Sequence, residues 1–165
     1  EDEKARRLNL FYEPVRDEVL RSHNWGFATA EEPLALVEKQ ENRFLYKYPQ
    51  EALFIRRVYQ EPYRHTPFRE LFHPKYRIRV VESACPQARA EYTRRAEDEN
   101  QFDAAFVKSF SLALAADLAV SLTGDNGLAA QILQKYTLSL DEARRSNMTE
   151  NFAQSGQTDA FTEVR

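Results

Sequence analysis

The 165-residue sequence predicts an α+β protein, mainly a helical bundle with an inserted small antiparallel β-subdomain. Apolar residues recur every three or four positions at both ends of the chain, while the middle is cut into short aromatic and β-branched runs. Prolines stand at the joints between those runs. The organisation this implies is a bundle from residues 1–28 and 100–148, an inserted β-rich subdomain at 29–99, and an extended C-terminal tail at 149–165.

In the N-terminal stretch Ala5, Leu8, Tyr12, Val15 and Val19 share one face, with Arg6, Glu13, Arg16 and Asp17 around it. That is the pattern of an amphipathic helix, here ending near Trp25 and Gly26. Pro14 lies inside it, and a proline removes a helix hydrogen bond and crowds the preceding turn, so a kink or a restart is expected there. Residues 34–37, 44–48, 53–59, 76–81 and 88–94 read as strands, separated by Pro33, Pro49, Pro62, Pro67, Pro74 and Pro86. Residues 61–75 hold three of those prolines together with His65 and His73, and read as a long exposed loop. Helical period returns with Phe102, Phe106, Phe110, Ala113, Leu114 and Leu118 as one stripe and Leu128, Ile132, Tyr136, Leu140 and Ala143 as a second. The phenylalanines Phe102, Phe106 and Phe110 are expected to be core. Gly124 can end the first helix in a left-handed conformation, and Asp125 or Asn126 can cap the next, which makes a short antiparallel hairpin. Period fades after Met148, leaving a polar tail with isolated Phe152, Phe161 and Val164.

Composition narrows the function classes. Twenty-three Lys and Arg against 26 Asp and Glu give a net charge of −3, which argues against a dedicated nucleic-acid binder. Apolar residues at 42% argue against wholesale disorder, and with 30% charged residues and a mean hydropathy of −0.66 no bilayer-crossing run is expected. The expectation is a soluble protein. No signal peptide is visible, and the start at Glu1 without methionine suggests a missing upstream stretch. Cys85 alone permits neither an internal disulfide nor a cysteine zinc cluster, and beside Pro86 it reads as a buried, inert thiol. Gly124 and Gly127 lack both the spacing and the lysine of a phosphate-cradling loop. No Gly-X-Ser-X-Gly elbow or His-Glu-X-X-His helix is present, and His23, His65 and His73 are scattered. Glu97, Asp98 and Glu99 precede a helix and complement its dipole. No catalytic, cofactor-binding or metal-binding residue is therefore assigned.

Charge is unevenly distributed. Residues 50–95 carry ten Lys and Arg against five Asp and Glu, net +5, which leaves −8 elsewhere. Arg56, Arg57, Arg77 and Arg79 stand among Tyr59, Tyr63, Tyr76 and Tyr92. This pattern suits a face that pairs with acidic groups of the bundle or of a neighbouring subunit. It also suits phosphates and stacked bases, so a DNA-binding module is the alternative. A hydrolase with a site assembled from distant residues is a weaker third reading.

Residues 11–28 resemble the signature of the head-to-tail adaptors of tailed phages, called tail tubular protein A or gatekeeper in short-tailed phages. That family shows a tyrosine, an acidic residue and a proline, then Arg-Asp, Leu-Arg and His-Pro-Trp-Asn-Phe-Ala. Tyr12, Pro14, Arg16, Asp17, Trp25 and Phe27 carry the match, while Asn24 and Gly26 depart from it. Residues 46–53 and 102–125 resemble a strand and the last helical hairpin of the same family, whose usual first helix has no counterpart here. The resemblance implies a structural virion protein without enzyme activity or cofactor, assembled in the host cytoplasm and resident in the phage neck. It implies a homo-oligomeric ring, a dodecamer, between the portal protein and the tail tube or nozzle. DNA would pass through its channel without sequence-specific binding, and no membrane is involved. Arg56, Arg57, Arg77 and Arg79 are then candidate subunit-interface residues. Because such adaptors grip the portal with C-terminal extensions, Phe152, Phe161 and Val164 are candidate portal anchors.

Overall fold

In a computed structural model, which describes residues 2–60 and 64–155, the chain divides into two compact units. One comprises residues 1–19 and 102–165, the other residues 20–101.

The first unit is helical. Helix α1 (Glu3–Ser22) enters it from the N-terminus, and α2 (Ala104–Thr123) and α3 (Asn126–Ser155) form a hairpin. The Asp103 carboxylate caps α2 by accepting from the Phe106 amide at 2.6 Å, and Gly124 closes it at φ +70° with its N–H on the Val120 carbonyl. The Asp125 carboxylate then accepts from the Leu128 amide at 3.0 Å to start α3. These three residues set the turn. Phe106 and Phe110 are buried in α2 and Leu140 and Ala143 in α3, with a buried Ser109–Ser139 hydroxyl contact of 2.9 Å across the hairpin. Tyr12 of α1 meets Phe110 edge-on at 5.1 Å.

The second unit is made of strands β1 (Thr29–Pro33), β2 (Leu36–Gln40), β3 (Arg43–Lys47), β4 (Ala52–Gln60), β5 (Arg64–Thr66), β6 (Phe68–His73), β7 (Ile78–Ser83) and β8 (Arg89–Arg94). They form two antiparallel sheets, ordered β1-β8-β4-β5 and β2-β3-β7-β6. Tyr46 and Val81 of one sheet and Ile55, Val58, Ala90 and Tyr92 of the other join Leu34, Tyr48, Cys85 and Ala88 in one buried cluster. The sheets are therefore packed face to face. The Tyr46 hydroxyl donates to the Cys85 carbonyl at 2.5 Å, which satisfies the one polar atom it brings into that core.

Several expectations need correction. The chain is not a mainly helical bundle with a small β insertion: about 48% is helix and 31% strand, with three helices and two four-stranded sheets. The described part of the expected loop at 61–75 contains β5 and β6, because residues 64–66 find an antiparallel partner in β4 and residues 68–73 a full one in β7. Strand β1, with Glu31, Glu32 and Pro33, has weak strand composition and is held by its pairing with β8. Helix α1 ends at Ser22 rather than near Trp25, and it runs unbroken through Pro14. Helix α3 continues past Met148 to Ser155. Among the described residues one helix is also long and apolar enough to span a bilayer, since α2 has a mean hydropathy of 1.6 over an 18-residue window. The whole-chain mean had concealed that local run.

Candidate functional site

The signature residues hold structural places. Arg16 is buried and donates through Nε and Nη2 to the Asp17 carboxylate at 3.1 and 2.9 Å, the partner a guanidinium needs away from water. Trp25, 3% exposed, stands edge-on to His23 at 4.7 Å and next to Phe27 at 6.5 Å. It precedes a 3-10 turn, Gly26–Ala28, whose last residue is fully buried. Arg94 holds that turn by donating to the Phe27 carbonyl at 3.1 Å.

The four arginines read from the sequence do not form one patch. Arg56 and Arg57 lie on β4 of the first sheet, whereas Arg79 lies on β7 of the second and Arg77 in the β6–β7 turn at φ +53°. Arg56 donates to Thr93 Oγ1 at 2.8 Å and to the His23 carbonyl at 2.6 Å, and burial pulls its pKa below the usual guanidinium range. Arg57 pairs with Glu91 and reaches Glu31 at 3.7 Å. Tyr59 donates to Glu31 at 2.8 Å, and Tyr92 to Glu32 at 3.2 Å. Burial first, and the adjacent Glu32 second, push the Tyr92 hydroxyl up to about 12. On the other sheet Arg79 pairs with Glu70 at 2.7 Å and lies 3.8 Å over the Tyr48 ring, while Arg43 and Arg69 share Glu82 at 3.3 and 2.8 Å. Glu31 on β1, Glu70 on β6, Glu82 on β7 and Glu91 on β8 bring acidic side chains to these arginines inside their own unit, which the linear charge count could not show.

One polar cleft of about 530 Å³ is lined by residues that include Arg79, Arg94, Arg95, Glu51, Glu97 and Asp98. Its charges balance, and no histidine, serine or cysteine lines it. Among the described residues no cluster of His, Cys, Asp and Glu could hold a metal ion. Cys85 is buried and burial pushes its thiol pKa up, so it is a poor nucleophile. Of the candidate portal anchors, Phe152 lies on the last turn of α3 with its side chain outside the described residues, and Phe161 and Val164 lie outside them altogether.

The helical unit presents another kind of surface. Leu10 of α1 is 70% exposed, Leu133 and Leu138 of α3 are 54% and 58% exposed, and Val107, Val120 and Leu122 of α2 are exposed as well. Sequence periodicity had assigned none of these to a site. Comparison of the chain with known protein-family models and with curated proteins found no match.

Proposed function

We propose that the chain is a structural subunit of a phage head-to-tail connector. It forms a dodecameric ring between the portal and the tail tube or nozzle and lines the DNA exit channel in the virion neck. The observation that carries this reading is the apolar surface left on the helical unit, with Leu10, Leu133 and Leu138 more than half exposed. Scattered single aliphatics are ordinary on a protein surface, but six or more on three helices of one small unit are what an assembled ring covers. The match at residues 11–28 supports it further, since Trp25 and Arg16 are buried where a signature motif has a structural role.

A bilayer is a less apt cover for α2. Lys108 and Asp117 interrupt the helix, and Lys108 pairs with Glu142 of the polar α3 at 2.7 Å. The DNA-binding alternative is weakened because Arg56, Arg57 and Arg79 are engaged within their own unit and have fewer donors to offer phosphates. Electron microscopy and mass measurement of the purified protein, with and without portal rings, test the proposal. Rings alone or on portals support it. A monomer that ignores portals but binds DNA in a salt-sensitive way, or inserts into vesicles, overturns it.

A further inference from the structure

The second sheet is strongly curled. Strands β2 and β6 are its opposite edges, three strand spacings or about 14 Å apart if the sheet were flat. Yet His73 Nε2 at the end of β6 lies 3.4 Å from Glu38 Oε2 on β2. Registers make the separation larger still, since Glu38 is level with Leu45, Glu82 and Arg69, and His73 lies four residues beyond Arg69. Only a strong twist that curls diagonal corners toward each other brings these groups into contact. Leu45 and Val80 lie on the same face of the sheet as this pair. By strand alternation they face away from Tyr46 and Val81 of the main core, yet they are only 5% and 1% exposed.

We propose that the end of β6 and the β6–β7 turn form a hinged strap, held toward β2 across this second face of the sheet by the Glu38–His73 contact. Around the latch, the Tyr76 amide approaches His73 Nδ1 at 3.5 Å, so Nε2 is the nitrogen left to donate to Glu38. The Tyr76 ring packs on the imidazole at 4.7 Å, and the Arg77 amide donates to the His73 carbonyl at 2.8 Å to close the turn. The charged and titratable groups facing the pair are Lys75 and Tyr76 from the turn, while on β2 Gln40 donates to Glu38 at 2.8 Å. That bond, with His73 and Lys75, holds the Glu38 carboxyl below its usual range, so the latch stays ionised on the Glu38 side until the solution is distinctly acidic. Opening would release the end of β6 and its turn from β2 while β7 stays paired with β3. The proposal does not depend on the connector reading.

Hydrogen exchange read by mass spectrometry on the full chain tests it. In Glu38→Gln and in His73→Gln, segments 36–47 and 68–81 should exchange up to about five-fold faster, while β4 and β8 keep their protection as a control for folding. The exchanged pair, Glu38→His with His73→Glu, should restore the original protection. Unchanged exchange in both single variants, or loss of protection across β4 and β8 as well, overturns the strap.

Discussion

Trp25 follows α1 directly and is the only tryptophan in the chain, so its replacement is the sharpest test of the signature's structural role. It is 3% exposed, and its edge-on contact with His23 and proximity to Phe27 leave little room for the surroundings to collapse. A buried aromatic of this kind removes about 150–250 Å² from water. At ~25 cal/mol per Å² that corresponds to a ceiling of about 4–6 kcal/mol. Alanine retains part of the area but leaves a cavity, so Trp25→Ala should lose about 3–5 kcal/mol. For a unit the size of residues 20–101, which holds Trp25, the melting temperature should fall by at least about 12 °C. Far-UV circular dichroism supplies the melt, and the wild-type protein reports the same burial through blue-shifted tryptophan emission. Trp25→Phe, which refills part of the space, should fall between the two. A Trp25→Ala protein that melts within a few degrees of wild type and still assembles would refute the anchoring role.

Other perturbations address separate features. Gly124→Ala forces an alanine to φ +70° at the end of α2 and should cost about 1 kcal/mol in urea titrations, with the α2–α3 hairpin otherwise intact. Tyr92 is held neutral in the folded state with its pKa raised to about 12, so its contribution is complete below about pH 10, the unfolded value, and is lost as pH rises through 12. Urea midpoints between those limits should fall less steeply in Tyr92→Phe than in wild type, and identical slopes would contradict the assignment. Arg57→Glu places a third carboxylate beside Glu31 and Glu91 and should destabilise the β unit itself. A variant that folds normally but no longer assembles would place Arg57 at a subunit interface instead.

Helical period by itself determined the α2–α3 hairpin. Asp103, Gly124 and Asp125 act through bonds to residues three or four positions away, and Phe106 and Phe110 follow a 3.6-residue repeat, so everything those elements need is local. The strand core was legible for the same reason at β3, β4, β7 and β8, whose aromatic and branched residues are buried whichever neighbour they meet. Tertiary structure decided the rest. Strands β1 and β6 exist because β8 and β7 offer them partners about sixty and ten residues away, and no local propensity signals a distant partner. Those added strands turned a small insertion into half the protein. The arginines show the same limit. Net charge along the chain marked residues 50–95 as a basic surface, but Glu91 on the adjacent strand and Glu31 one strand further reach Arg57 only after the sheet forms. Glu38 and His73 likewise meet because twist accumulates across four strands, a property of the whole sheet that no single stretch of residues carries.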